Sequence, residues 1–353
     1  MKEDSDRTKM IKITKNSKLM IWGNTKEAKT GGAEILNKFA AYMKELGVNA
    51  KMFNWSYHSF EQNKYYKNLY DIECGSWEEV EDNEDVIIFI PEIMIENPDN
   101  LEFFCNFKKA QIIIWWMSSS FQYNDLDFKT SKRKMFHRLK FLEERCLHLY
   151  EGESAGRDLL YHGLTNRMRF SHGVHPLFYT MPKRVEKQDI VVYNPFKPAN
   201  PEYLKLIQER LPDIKFVPLG PGEDGKYKTK EELIDLYDSA KVYVDFNEFE
   251  GREMCPREAA LRDCVLLLNN EGCASTFDDY PIPNWNKIEK YGEGDVNTIA
   301  NKILYCLKNY DKCLEDMYLF KNKCLNEPAM WKLYVQTLFA PMIPDENKLP
   351  QQV

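Results

Sequence analysis

The sequence has no run of about 18 apolar residues, the minimum for a helix that crosses a membrane. Residues 1–18 are charged and polar and lack the apolar core of a signal peptide. The composition, 43% hydrophobic and 29% charged, is that of a globular chain. These features predict a soluble, cytoplasmic protein without a transmembrane segment.

Paired cysteines are also lacking. The chain has nine cysteines, an odd number, and none of them forms a Cys-x-x-Cys pair. This scatter is typical of reduced thiols in a cytosolic protein, and it argues against a disulfide framework or a zinc site.

An excess of positive charge is absent too, because the formal net charge is −7. A protein whose affinity rests on phosphate neutralisation needs the opposite sign, so no nucleic-acid partner is expected. The basic segment 129–145 is a local exception. It predicts either a solvated surface helix or a peripheral contact with an anionic membrane or lipid-diphosphate acceptor.

Short apolar runs alternate with helical patterns along the chain. A length of 353 residues fits two α/β domains of roughly 150 residues each. Runs such as Glu84–Ile90 and Ala110–Met117 are too apolar to be half exposed. They predict parallel strands that are covered on both faces.

The stretch Val242–Asn269 reads as a buried strand, an acidic glycine-bearing loop, a helix and a second buried strand. Pro256 fits the first helical turn, where its missing N–H costs nothing. Glu250 and Glu258 then flank the helix N-terminus at the carboxyl end of a parallel strand, where open α/β sheets bind ligands. Carboxylates repel phosphate, so these two side chains are expected to face sugar or ribose hydroxyls.

The Glu-x7-Glu spacing, the preceding Leu233–Val244 and the following Glu258-Ala-Ala resemble the donor-binding half of retaining GT-B glycosyltransferases, the group called family 4. The resemblance implies that Glu250 contacts the donor sugar and Glu258 the nucleotide ribose. The remaining loop residues predicted to bind the donor are Gly251, Arg252, Glu253 and Met254. Glu253 stands where that family has its second glycine, and Pro256 lies one place later than usual. A capped α/β helix with acidic residues near its first turn is the alternative interpretation.

The resemblance implies further donor contacts. Gly31 and Gly32 open a long helix and would let backbone N–H groups approach a phosphate; the alternative is a turn needed only for chain reversal. Lys197 stands where the family has a lysine that reaches the diphosphate, Asn194 is nearest to its arginine, and Gly272 lies at its phosphate-approaching turn.

The fold implied by the resemblance is α/β of the GT-B type, with two Rossmann-like domains whose parallel sheets face across a cleft. Pro182–Gln188 is predicted as the hinge. The expected division is a flexible N-terminus at 1–17, an acceptor domain at 18–181, a donor domain at 182–325, a C-terminal helix at 326–345 that packs back on the first domain, and a tail at 346–353.

The expected activity is metal-independent transfer of a sugar, with retention of anomeric configuration, from a UDP- or GDP-sugar to a glycan or glycolipid acceptor in glycan biosynthesis. No cofactor and no metal are expected; Lys197, Arg252 and the backbone amides of Gly31, Gly32 and Gly272 would stabilise the diphosphate. Two alternatives stay open: a sugar-nucleotide epimerase or phosphorylase, and a non-catalytic nucleotide-sugar-binding module.

Three other patterns compete for function. Asp125-Leu-Asp127 is an Asp-x-Asp of the kind that holds a metal in single-domain GT-A enzymes, but it would leave the second half of the chain unexplained. The dinucleotide pattern Gly220–Gly225 carries Pro221 and two acidic residues, so it is rejected. His172 and His175 lack a third ligand nearby, which favours packing over a metal site.

Overall fold

A computed structural model describes residues 11–23, 30–54, 61–62, 64–96, 98–118, 140–183, 185–195, 201–220, 227–289 and 294–348. The chain divides into two compact units. The first comprises Met1–His172 and Met330–Val353, and the second comprises Gly173–Ala329. The second unit therefore begins at Gly173, before the predicted start at residue 182.

The described part of the first unit contains a sheet of six parallel strands in the order β2-β1-β3-β4-β5-β6. The strands are β1 Lys18–Trp22, β2 Ala50–Phe53, β3 Val86–Pro91, β4 Gln111–Trp116, β5 Cys146–Tyr150 and β6 Arg167–Arg169. Every residue of β3 is buried, as expected for a central strand covered on both faces.

Helices cover this sheet. They are α1 Gly31–Glu45, α2 Lys64–Tyr70, α3 Ile93–Glu96, α4 Pro98–Cys105 and α5 Glu153–Tyr161, together with a helical segment at 140–145. The apolar positions of α1 recur at helical spacing and face the sheet, where Phe39 stacks on Phe89 with ring centroids 4.6 Å apart.

In the second unit, the described residues form a sheet of five parallel strands in the order β11-β10-β9-β7-β8. The strands are β7 Gln188–Tyr193, β8 Lys215–Pro218, β9 Ala240–Asp245, β10 Val265–Asn269 and β11 Lys287–Ile288. The helices are α6 Pro201–Arg210, α7 Lys230–Ser239, α8 Met254–Leu261, α9 Gly294–Lys308, α10 Tyr310–Glu315 and α11 Tyr318–Phe339.

Both sheets are wound in the same way. From one edge, the strands of each sheet follow in the order second, first, third, fourth and fifth of their unit, and the first sheet continues with its sixth strand. The strand order reverses between β1 and β3 in the first sheet and between β7 and β9 in the second. Open α/β sheets bind ligands at the carboxyl ends of the strands beside such a reversal. The loops after β1 and β3, and those after β7 and β9, thus lie where such sheets bind ligands.

The predicted hinge is anchored to the second unit. The Nζ of Lys187 donates to the carbonyls of Tyr237, Ala240 and Arg262 at 2.8, 2.9 and 2.7 Å. The backbone N–H of Lys183 donates to the Oδ2 of Asp238 at 2.9 Å. The segment that precedes β7 therefore belongs to the second unit and is held by several hydrogen bonds.

The last helix is longer than the sequence predicted. The C-terminal helix was predicted at 326–345. Instead α11 runs without interruption from Tyr318 to Phe339 with Pro328 inside it. Its residues from Met330 onward belong to the first unit, and Trp331, Val335 and Phe339 are buried in that unit's core.

Parts of the predicted termini are also held in place. The Nε2 of Gln111 donates to the carbonyl of Lys12 at 2.7 Å, within the segment expected to be flexible. The Nδ2 of Asn347, in the predicted tail, donates to the carbonyl of Leu46 at 3.2 Å. Within the described residues, no helix combines the length and the apolar character needed to cross a bilayer.

Candidate functional site

The loop between β9 and α8, residues 246–253, is named the acidic loop. It starts from Asp245, which is 2% exposed at the end of β9. Its Oδ2 accepts from the Tyr243 hydroxyl at 2.6 Å, and its Oδ1 accepts from the backbone N–H of Asn247 at 3.1 Å. A buried carboxylate that is bonded on both oxygens fixes the direction in which the chain leaves the strand.

The turn after β10 holds the middle of the acidic loop. The Nδ2 of Asn269 donates to the carbonyl of Asn247 at 3.1 Å, and the N–H of Cys273 donates to the carbonyl of Phe249 at 2.8 Å. Gly272 has a φ of +53° and packs directly on Phe249. The loop is therefore supported from the neighbouring strand as well as from its own.

Two arginines hold the end of the acidic loop, and both are buried. The Nη2 of Arg257 donates to the carbonyl of Arg252 at 2.7 Å, and its Nε donates to the carbonyl of Glu253 at 3.2 Å. The Nη2 of Arg252 is paired with the Oε1 of Glu327. The predicted diphosphate contact Arg252 is thus 3% exposed and ion-paired inside the second unit.

The two glutamates of the Glu-x7-Glu pattern differ in exposure. Glu250 is exposed on the acidic loop, whereas Glu258 is 3% exposed within α8. Burial, and after it the charge of Glu258, raises the pKa of the Cys255 thiol well above its usual value. Cys255 therefore stays protonated at neutral pH and is unsuited to act as a nucleophile.

The N-terminus of α8 faces the acidic loop. Glu253 is the N-cap, yet its side chain makes no capping hydrogen bond to the helix. Pro256 lies in the first turn, as predicted, and brings no N–H. Gly251 is buried and Met254 is half-buried at this end. Backbone N–H groups and the positive end of the helix dipole here suit an anionic group.

The loop after β7 leaves the same edge of the sheet. Strands β7 and β9 are adjacent, with Tyr193 opposite Val244. Asn194 follows β7 directly and is half-buried. The predicted diphosphate lysine, Lys197, lies outside the described residues. So do Asp125, Asp127, residues 129–139 of the basic segment, and Gly222 and Gly225 of the rejected dinucleotide pattern.

Gly31 and Gly32 are the first two residues of α1 in the first unit, and both are half-buried. The Thr30 Oγ1 accepts from the N–H of Ala33 at 3.4 Å and caps the helix. A Cβ on Gly32 would meet the Cε of Met117 at 3.8 Å, an ordinary contact, so the fold leaves room for a side chain there.

The two histidines near the unit boundary make local polar contacts. The Nε2 of His172 lies 3.1 Å from the Oε1 of Glu151, with both side chains buried. The Nδ1 of His175 accepts from the N–H of Leu177 at 3.4 Å and caps a 3-10 turn. Across the described ranges, no group of three His, Cys, Asp or Glu side chains is arranged to hold a metal.

Sequence reasoning missed Glu327 because no local pattern links it to the acidic loop. It lies 75 residues from Arg252 and 70 from Arg257 along the chain. Only the path of α11 brings its carboxylate to both guanidinium groups. The only available signal was the presence of two arginines within a six-residue stretch at the end of the predicted ligand loop. Buried arginines need an acidic partner, so these two would have pointed to one.

No protein-family model matches the chain, and no curated protein matches it. Solved structures do. HepE from Anabaena, in complex with UDP and glucose, is 11% identical, with 92% of this chain and 100% of HepE covered and a TM-score of 0.61. Sucrose-phosphate synthase from Thermosynechococcus elongatus is 12% identical, with 92% and 100% covered and a TM-score of 0.59.

TarM is 18% identical, with 74% of this chain covered and a TM-score of 0.54. The match covers 56% of TarM, so this chain spans little more than half the length of that protein. The paired sheets of parallel strands and the likeness to HepE and sucrose-phosphate synthase confirm the predicted fold. The chain has a GT-B fold.

Proposed function

We propose that the chain is a glycosyltransferase that transfers a sugar from a nucleotide-sugar donor to a glycan or glycolipid acceptor with retention of anomeric configuration. The observation that carries the proposal is the exposed Glu250. It lies on the acidic loop, which hydrogen bonds from the turn after β10 and from α8 hold in place, beside the strand-order reversal of the second sheet. Support also comes from the fold shared with HepE, whose structure holds UDP and glucose.

Glu250 and Glu258 are assigned to the hydroxyl groups of the donor. An exposed carboxylate on a fixed loop accepts hydrogen bonds from two sugar hydroxyls without losing much conformational entropy. Glu258 is assigned to the ribose. Its burial lowers the local dielectric constant, which strengthens a hydrogen bond between a hydroxyl and the carboxylate.

The diphosphate is assigned to backbone N–H groups and to Lys197. The N-terminus of α8 supplies the amides of Met254 and Cys255. Fixed donors aimed at a leaving diphosphate stabilise the charge that develops as the sugar bond breaks. This assignment needs no metal ion or cofactor. Arg252 is assigned to holding the loop, because its guanidinium is paired with Glu327.

The test is a panel of UDP-, GDP- and dTDP-sugars. Thermal stabilisation identifies the donor, because a ligand that binds only the native state raises the melting temperature by mass action. Hydrolysis and then transfer to candidate acceptors follow with the donor that binds. Transfer with retained configuration supports the proposal, and absence of binding to the whole panel contradicts it.

The two alternatives give different results in the same assay. A sugar-nucleotide epimerase or phosphorylase would convert or release the sugar without any acceptor. A binding module would show the shift in melting temperature with no turnover under any condition.

A further inference from the structure

Glu327 on α11 connects Arg252 and Arg257, the two arginines that hold the end of the acidic loop. It is 4% exposed. Its Oε1 is paired with the Nη2 of Arg252, and its Oε2 accepts from the Nη1 of Arg257 at 3.1 Å. Each carboxylate oxygen therefore serves a different guanidinium group, and all three residues belong to the second unit.

The contacts form a closed ring that includes the backbone of the acidic loop. Arg257 donates to the Arg252 carbonyl at 2.7 Å and to the Glu253 carbonyl at 3.2 Å, while its Nη1 reaches Glu327. Arg252 then returns to Glu327 through its own side chain. The backbone at 252 and 253 is thus held by the side chain of Arg252, which belongs to this segment, and by the side chain of Arg257, which does not.

This arrangement affects ligand binding because the groups assigned to the ligand lie next to it. The exposed Glu250 lies two residues before Arg252, and α8 begins at Met254. A shift of the backbone at 252–253 would move both the carboxylate assigned to the sugar and the N–H groups assigned to the diphosphate. Misplacement of about 1 Å in such groups can reduce catalysis about a hundredfold.

We propose that Glu327 is a positioning residue: through Arg252 and Arg257 it holds the acidic loop in the geometry that binds the nucleotide sugar. The inference rests on the proposed function only for the identity of the ligand. Glu327 does not itself contact the donor in this proposal. Its effect on binding passes through the position of residues 250–254.

The chain contains a matched control at the other end of α8. Asp238 and Arg262 form an equally buried pair, 1% and 0% exposed. The Nε of Arg262 donates to the Oδ1 of Asp238 at 2.7 Å, and Arg262 follows directly after the helix. The Arg262 guanidinium donates to Asp238 and to the carbonyls of Thr180 and Met181, all of which lie outside the acidic loop. Loss of this pair tests the cost of breaking a buried ion pair without disturbing the loop.

The experiment compares Glu327→Gln, Glu327→Asp and Asp238→Asn by amide hydrogen exchange without ligand and by calorimetric titration with UDP. Glu327→Gln should raise the exchange rates of amides 250–254 at least tenfold and weaken UDP binding at least tenfold. Glu327→Asp keeps the charge and should recover part of both effects. Asp238→Asn should leave both quantities within twofold of the wild type.

Unchanged exchange at 250–254 in Glu327→Gln overturns the proposal, and so does an equal effect of Asp238→Asn. If the wild type binds no UDP or other nucleotide, the proposed function fails while the exchange measurement still decides the role of Glu327. Arg252→Lys is measured in parallel, because it keeps the charge but loses the planar fork of donors. It supplies the comparison if Glu327→Gln does not fold, and normal exchange and UDP binding in it also count against the proposal.

Discussion

Gly272 packs so closely on Phe249 that a Cβ at position 272 would stand 2.0 Å from the Phe249 carbonyl oxygen. The same carbonyl accepts a hydrogen bond from the N–H of Cys273 at 2.8 Å. The φ of Gly272 is +53°, in the region that favours glycine. The fold itself therefore requires glycine here, whatever Gly272 contributes to a phosphate. The turn after β10 and the acidic loop are thus packed directly against each other.

Replacing Gly272 with alanine should destabilise the second unit by roughly 2–5 kcal/mol, adding left-handed strain to overpacking against a backbone atom. Urea unfolding measures the loss. Gly163→Ala is the matched control, because its φ is +79° and nothing lies within 4 Å of the added Cβ. It should lose only the strain component of about 1–2 kcal/mol. Equal losses in the two variants would show that Phe249 moves aside freely.

Replacing Gly32 with alanine should not destabilise the protein as the change at Gly272 does. Its Cβ would make only an ordinary contact with Met117, so the fold does not require glycine at this helical position. Gly32→Ala should leave stability unchanged or raise it by about 0.4–1 kcal/mol, because alanine restricts the unfolded chain. If the Gly32 amide approaches a phosphate, the same variant should weaken UDP binding at least fivefold. A more stable variant with unchanged UDP affinity would assign Gly32 to the turn alone.

Most strands could be predicted from the sequence because their burial leaves a direct signal. The runs at 84–90 and 110–117 are apolar at every position that the central strands β3 and β4 bury. Strand β6 gave no such signal, since Arg167-Met-Arg169 is half-buried throughout and carries two charges. The two residues of β11 are too few for any periodicity to appear.

The candidate site was predictable only where its residues are neighbours in the chain. Glu250, Glu258 and Pro256 fall on one strand–loop–helix segment, so local spacing locates them at the carboxyl edge of a parallel sheet. The support of that segment is non-local: Asp245 and Asn269 come from two strands, and Glu327 comes from α11. A tertiary ion pair between residues 75 positions apart leaves no pattern in a single sequence.

The roles of the two glutamates can be separated by neutral replacements. Glu250→Gln should lower transfer by about 10²–10³-fold, the range seen when one preorganised polar contact to a transition state is removed. UDP affinity should stay within threefold, because UDP lacks the sugar that Glu250 is assigned to contact. Glu258→Gln should weaken UDP itself at least tenfold.

Isothermal titration with UDP and steady-state transfer assays measure the two effects. Asp71→Asn, a change at an exposed residue of the first unit, serves as the control and should alter neither. Full transfer in Glu250→Gln combined with abolished transfer in Glu258→Gln would refute these roles.

His148 should make the stability of the first unit depend on pH. Its Nδ1 accepts from the indole N–H of Trp116 at 2.9 Å, and an indole only donates, so the proton lies on Nε2 and is donated to the Leu142 carbonyl at 3.1 Å. Burial lowers the pKa of this imidazole from 6.5 to about 4. Below pH 6.5 the unfolded chain binds a proton that the native protein excludes. The contribution of His148 to the free energy of unfolding is therefore fully present above pH 6.5. Below pH 6.5 it falls by about 1.4 kcal/mol per pH unit, roughly 3 kcal/mol in all by pH 4.

Urea unfolding at several values between pH 7 and pH 4, followed by tryptophan fluorescence, measures this loss, because every tryptophan except Trp285 belongs to the first unit. In His148→Gln the amide oxygen still accepts from Trp116 and the amide nitrogen still donates to Leu142, but nothing titrates. The difference in stability between wild type and this variant should therefore shrink steadily toward acid. His162→Gln, at a half-buried histidine of the same unit, is measured alongside it. Parallel curves for wild type and His148→Gln would mean that the buried imidazole takes up its proton in the native state, contrary to its hydrogen bonds.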